Sequence, residues 1–163
     1  MESPKFDALV IGGGPGGYAA AIRLSQLGLR SAIVERTRLG GVCLNVGCIP
    51  SKALISASKL ADKMARADAI GLRAGPVEVD MGKMQQWKSG VVDKLAGGVT
   101  QLCRGNNVDV IQGSARFRNN REVEISDGTV AMSASLQLED RSGSQSSTFE
   151  KTISVTPNSR CGY

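Results

Sequence analysis

Phe6-Asp7-Ala8-Leu9-Val10-Ile11-Gly12-Gly13-Gly14-Pro15-Gly16-Gly17 decides how this chain begins to fold. Its first six residues are a mostly apolar run of strand length, and they enter a glycine-rich turn with no linker between. Tyr18 to Leu27 follows with good helix formers and stops at Gly28, a natural helix end. Ser31 to Val34 reads as a second strand, closed by Glu35. The register Gly12-x-Gly14-x-x-Gly17 serves three needs: a tight turn, close approach of backbone to a pyrophosphate, and close packing of helix on strand. The helix N-terminus brings its positive end to the same place. Glu35 stands 18 residues after Gly17, where a carboxylate accepts hydrogen bonds from an adenosine ribose. An acid at this position favours a ribose without a phosphate. The competing reading is a glycine turn in some other α/β protein with a chance surface glutamate. Strand, turn, helix, second strand and acid standing in that order weigh against it.

Cys43-Leu44-Asn45-Val46-Gly47-Cys48 begins 26 residues beyond Gly17. A zinc site would need about four Cys or His ligands, but the chain has no histidine, and Cys103 and Cys161 lie far away in other contexts. A structural disulfide suits a small secreted scaffold better than an α/β chain of 163 residues that opens with no secretory signal. Two unpaired buried thiols are a third alternative, against which Asn45 and Gly47 suggest an exposed turn. The fourth reading is a redox-active pair beside a bound nucleotide. In regular helix, five residues rise about 7.5 Å, beyond the Cα separation of up to about 6.8 Å that a disulfide spans. A bonded pair therefore needs at least one cysteine outside regular helix. Asn45 and Gly47 supply the break, and Pro50 fits the first turn of a helix from about Cys48 to Met64. Cys48 then sits near a helix N-terminus, which lowers a thiol's pKa and favours thiolate.

Gly40-Gly41-Val42-Cys43-Leu44-Asn45-Val46-Gly47-Cys48-Ile49-Pro50-Ser51-Lys52-Ala53-Leu54 resembles the flavin disulfide reductases, the dihydrolipoyl dehydrogenases above all. Trp87-Lys88, Val91-Val92-x-Lys94-Leu95-x-Gly97-Gly98-Val99 and Gly113-Ser114-Ala115-Arg116-Phe117 extend the likeness in the family's order. The resemblance implies a Rossmann-like FAD-binding domain of α/β class, with a parallel sheet, helices and a small antiparallel β segment. It implies that Gly12, Gly14 and Gly17 bind the FAD pyrophosphate, Glu35 the adenosine ribose and the backbone near Ala115 the adenine end. Arg36, Gly41, Val42 and Gly113 would make further cofactor contacts, and Lys52 would lie near the reactive nitrogen of the flavin. Val42 is apolar where many relatives carry threonine, so no side-chain hydrogen bond is available there. Cys43 would be the interchange thiol that meets dihydrolipoamide, and Cys48 the thiol touching the flavin. Electrons would pass from dihydrolipoamide, carried on a lipoyl domain of a 2-oxo acid dehydrogenase complex, through the cysteines and FAD to NAD. The complete enzyme would be a homodimer. Glutathione and mercuric reductases share the disulfide frame with poorer flanking agreement, and a non-catalytic nucleotide-binding fragment is the third possibility.

The likeness is strong to about Asp127 and thin beyond, so residues 1–127 are expected to form the FAD-binding domain and 128–163 its divergent, partly disordered end. Ile153-Ser154-Val155 leads into Thr156-Pro157-Asn158-Ser159-Arg160, where relatives carry an apolar strand running into Ala-Thr-Gly-Ser-Arg. Pro157 lacks a backbone donor, and Asn158 replaces the permissive glycine. The domain is expected to be incomplete. An NAD-binding domain and an interface domain with a His-Glu pair are expected to be absent.

At 41% hydrophobic and 21% charged residues the composition is that of an ordinary globular domain, and 163 residues suffice for one core. Net charge is +5, and Arg116, Arg118 and Arg121 form its only local cluster. Without aromatic interleaving or a recognition motif this reads as a solvated basic face rather than a nucleic-acid surface. No apolar stretch approaches the ~18 residues of a membrane span. A disulfide that opens and closes suits reducing cytoplasm. Met84, Trp87, Val91, Val92, Leu95, Val99 and Leu102 share one face of a long helix ending near Cys103, with Trp87 expected in the core. Val108 to Ile111 reads as another strand of the nucleotide domain, and Glu122–Ile125 and Thr129–Leu138 as short antiparallel strands. Arg141 to Ser147 reads as a polar turn.

Overall fold

The structure is a computed structural model that describes residues 4–119, 122–128 and 130–138, with residues 132–138 described through their backbone. The Arg141–Ser147 turn, the Ile153–Arg160 segment, Cys161 and Arg121 lie outside the described residues. In chain order come β1 (Lys5–Ile11), α1 (Pro15–Gln26), β2 (Ser31–Glu35), α2 (Gly41–Asn45) and α3 (Cys48–Ala65). A 3-10 turn (Ala67–Ile70), α4 (Met81–Gly105), β3 (Asp109–Gln112), β4 (Ala115–Phe117), β5 (Glu122–Ile125) and β6 (Val130–Leu138) follow.

Local chemistry sets the helix bounds. Pro15 opens α1, where a missing N–H costs nothing, so the helix starts three residues earlier than Tyr18. It closes through Gly28, whose φ of 85° lets Leu29 N donate to Leu24 O at 3.2 Å. The long helix α4 is capped by Asp80, whose Oδ1 accepts from Lys83 N at 3.0 Å.

One sheet holds all six strands in the order β3-β2-β1-β6-β5-β4. The first four are parallel, with Val10 opposite Ile33, Ile33 opposite Val110 and Ile11 opposite Leu138. β5 runs antiparallel to both β6 and β4. The expected antiparallel segment is therefore present but continuous with the parallel sheet, since β6 belongs to both parts. β3 and β4 occupy opposite ends of this order, yet only Gly113 and Ser114 separate them. Five strand spacings laid flat would span about 24 Å, whereas the chain from Gln112 to Ala115 reaches at most about 11 Å. The β4–β5 hairpin must therefore curl back over the sheet.

The two resulting cores follow strand alternation. On one face Val10 and Ile33 pack with Ala21 of α1, Leu44 of α2, and Val92, Ala96, Val99 and Cys103 of α4. On the other, Leu9, Ala32 and Val34 meet Val123 and Ile125 of the curled hairpin. Trp87 corrects the sequence expectation. It is 49% exposed, as Leu95 and Leu102 also are to similar degree. The buried stripe of α4 is Val92-Ala96-Val99-Cys103, and Trp87 lies more than a turn before its first residue, in an open groove of about 600 Å³ with Leu60, Lys59 and Lys63 of α3.

Candidate functional site

The parallel strands deliver Ile11, Glu35 and Gln112 to one edge of the sheet, and the crevice outside such carboxyl ends is where α/β sheets hold ligands. β2 lies on one side of β1 and β6 on the other, so the winding direction reverses at β1. Gly12, at φ 101°, turns the chain away from β1 while its N–H donates to Val34 O at 2.9 Å. Gly13 N then donates to Glu35 Oε2 at 2.8 Å. Glu35 Oε1 accepts from both Thr37 N and Thr37 Oγ1, each at 2.8 Å. The Glu35 side chain is thus held in place at 4% exposure, with its carboxylate against the turn. Its charge sits where backbone N–H groups converge, so the acid orders the same loop whose register foretold it.

A second pair of glycines leans on the first. Gly40 N donates to Gly13 O at 2.7 Å. A Cβ on Gly41 would stand 2.9 Å from Gly14 Cα, and one on Gly13 would stand 2.6 Å from Leu39 Cδ2. The Gly41 contact is with backbone and leaves no room for a side chain, whereas at Gly13 the leucine tip would have to move. Gly14 is the N-cap of α1 and brings no side-chain oxygen to the helix end, and Gly17 is buried within the first turn. Gly113 joins from β3, its N–H donating to Glu35 O at 2.9 Å. Ala115 begins β4 opposite Ile125. Gly12, Gly14, Glu35, Gly41 and Gly113 are therefore gathered at one edge. The side chains of Arg36 and Val42 are exposed there.

Cys43 lies within α2 and Cys48 is the first residue of α3. They form a disulfide with a Cα separation of 4.8 Å. The geometry is made by a tight reversal: Val46 N and Gly47 N both donate to Val42 O, at 2.9 and 2.8 Å, and Gly47 caps α3. The expected break between the cysteines is present, although Asn45 closes a five-residue helix rather than lying in an open turn. Cys48 is exposed and Cys43 half-buried. Cys48 stands at the head of the 18-residue α3. Lys52 stands one turn on, along the same side of α3, with an exposed side chain. Cys103 contrasts with this pair: it is fully buried, and burial pushes its thiol above the ordinary value. Among the described residues no three His, Cys, Asp or Glu side chains form a metal cluster, and no helix is long and apolar enough to cross a membrane.

Two further residues fasten this edge through hydrogen bonds that no sequence motif marks. Thr37 fastens Glu35, and its signal is an acid followed two residues later by a hydroxyl, a common local turn. Asn45 suits a turn by type, but its amide donates to Leu39 O at 3.1 Å and Gly41 O at 2.9 Å.

Residues 6–139 match the family model described as pyridine nucleotide-disulphide oxidoreductase. The chain belongs to that family. Within this oxidoreductase family it is 52% identical over 122 residues to a dihydrolipoyl dehydrogenase of Haloferax volcanii, covering 75% of this chain and 26% of the relative. A dihydrolipoyl dehydrogenase of Bacillus subtilis is 53% identical over 123 residues, covering 76% and 26%. Among solved structures, the HOCl-induced flavoprotein disulfide reductase RclA from Escherichia coli superposes with a TM-score of 0.68 at 26% identity, covering 88% of this chain and 29% of that one. The chain thus spans about a quarter of the length of the curated relatives it matches.

Proposed function

We propose that this chain is the FAD-binding and redox-disulfide portion of a dihydrolipoyl dehydrogenase. The observation that carries the reading is the Cys43–Cys48 disulfide at a helix start, tied through Gly40 and Gly13 to a dinucleotide turn. The residues fit FAD: Gly13 and Gly14 are buried without side chains, α1 begins beside them, and a carboxylate closes the end of β2. Gly12, Gly14 and Gly17 would hold the pyrophosphate, Glu35 and Arg36 the adenosine ribose, and Gly113 and Ala115 the adenine end. Gly41 and Val42 would line the path to the ring, with Lys52 near its reactive nitrogen. FAD held there would supply two-electron redox chemistry between the reduced Cys43 and Cys48 and NAD.

One thiolate of dihydrolipoamide attacks Cys43 Sγ, breaks the Cys43–Cys48 bond and releases Cys48 as thiolate, stabilised by the α3 N-terminus. The second substrate thiol, as thiolate, displaces Cys43, closing the lipoamide disulfide and leaving both cysteines reduced. Two electrons have moved to the chain, and the two substrate protons pass to bases. The 163-residue polypeptide has no histidine to receive them. Residues 1–127 would make up this FAD-binding unit, with 128–163 as its divergent end. A lipoyl domain of a 2-oxo acid dehydrogenase complex would present the substrate to a homodimer in the cytoplasm.

The test is peptide mapping of air-oxidised and dithiol-reduced protein, together with equilibrium dialysis against FAD. Cys43 and Cys48 should be protected from alkylation when oxidised and both labelled when reduced, with FAD retained. Cysteines that stay alkylatable after oxidation would overturn the redox reading, and no retained flavin would overturn the cofactor.

A further inference from the structure

The Asn45 amide spends both of its N–H groups on carbonyls of the segment that leans on the dinucleotide turn, namely Leu39 O at 3.1 Å and Gly41 O at 2.9 Å. Its Oδ1 is buried and makes no hydrogen bond. A buried acceptor left without a partner is costly, so this orientation is held by what the nitrogen does. Turning the amide over would set its oxygen against two carbonyl oxygens, which fixes the assignment. The two accepting residues flank Gly40, whose N–H donates to Gly13 O, and Gly13 in turn donates to Glu35. A continuous run of hydrogen bonds therefore joins the Glu35 carboxylate to the end of α2. Asn45 is the last residue of that helix, two positions after Cys43 and three before Cys48.

We propose that Asn45 is a positioning residue that clamps the disulfide turn to the dinucleotide crevice and thereby sets how readily the Cys43–Cys48 bond is reduced. This rests on the redox reading above. The physical reason is effective concentration. A disulfide is favoured over two thiols to the degree that the fold already holds both sulfurs together. Val42 O, which receives the two N–H groups of the reversal, lies on α2, so a loose α2 lets Cys43 drift from Cys48. Without the amide, the reduced form gains freedom that the disulfide form lacks.

The experiment is equilibration of the 163-residue chain with dithiothreitol and its cyclic disulfide at varied ratio, followed by alkylation and peptide mapping. Each reduction opens one Cys43–Cys48 bond and closes one dithiothreitol ring, a transfer of two electrons and two protons. Asn45→Ala should raise the equilibrium constant for reduction about tenfold, as loss of two side-chain hydrogen bonds warrants, which is about 30 mV. Asn45→Ser can still donate to the carbonyl four residues back, at Gly41, and should fall between wild type and alanine, near threefold. Protection of the buried Cys103 from alkylation reports the global fold in the same maps. A constant equal to wild type in both variants, with Cys103 protected, would overturn the proposal. Should Asn45→Ala expose Cys103, Asn45→Ser alone decides; if that too exposes Cys103, Asn45 is a folding residue and the proposal fails. A wild-type disulfide that does not cycle at all would instead defeat the redox reading itself.

Discussion

The two ends of the α3–α4 helix pair are built on opposite principles. At the inner end Pro50 and Ala53 of α3 and Val92, Ala96 and Val99 of α4 are buried, and the disulfide joins α2 to the first residue of α3. At the outer end Leu60, Met64, Met81 and Trp87 are exposed. The helices continue for turns after the sheet has stopped covering them. The candidate site thus sits where the backbone is pinned from several sides, and an apolar stripe on a helix records a face without recording what covers it.

The same substitution at both ends gives the sharpest contrast. Leu44→Ala, next to Gly40 in the inner core, should cost about 2–5 kcal/mol of stability in urea denaturation. Leu60→Ala at the outer end should cost within about 0.5 kcal/mol. Equal losses would mean that the outer groove is a core. A second contrast concerns glycines. Gly14→Val should weaken FAD binding on the order of 100-fold, about 2.7 kcal/mol, in equilibrium dialysis. Gly90→Ala, with nothing within 4 Å of its Cβ, should leave it unchanged.

A smaller effect is expected at the acid that joins turn and strand. Glu35→Ala should weaken FAD binding by about 1–3 kcal/mol, the range of a charge-assisted hydrogen bond, while Asp93→Ala on exposed α4 leaves binding alone. The smallest concerns pH. Burial raises the Cys103 thiol above its ordinary value of 9.0, so above that pH the unfolded chain holds fewer protons than the folded one. Its contribution to stability is full below pH 9.0 and falls as pH rises beyond, by up to about 1.4 kcal/mol per unit. Denaturation measured across this range should show the decline in wild type and a shallower one in Cys103→Ala. Identical slopes would remove Cys103 from the account.

The crevice was legible in the sequence because each of its parts is a backbone requirement that few residues meet. Gly12 must turn at positive φ, Gly41 must pass within contact of Gly14, and Pro15 can only begin a helix, so the letters carry the geometry. Cys43 and Cys48 were legible through spacing and the helix start at Pro50. Trp87 was not, because periodicity orders residues around a helix but says nothing of where along it the neighbouring sheet ends. Nor was the role of β6. Alternation marks Val130–Leu138 as a strand, but the pairing with β1 is chosen by partners remote in the chain. Asn45 and Thr37 were hidden for a third reason: their hydrogen bonds go to nearby carbonyls and a carboxylate, which composition does not reveal.

The placement of β6 beside β1 bears on how the chain is made. β1 pairs on one side with β2, which follows directly, and on the other with β6, where Lys5 faces Met132 and Leu9 faces Leu136. Emerging from a ribosome at about 5–20 residues per second, β1 waits on the order of 10 s with one edge unpaired. Leu9 and Val10 make that waiting edge apolar, an invitation to pair with a neighbouring nascent chain. The centre of this sheet is therefore its last part to close, and yield in cells should depend on chaperones that shield β1 until residue 138 has been synthesised.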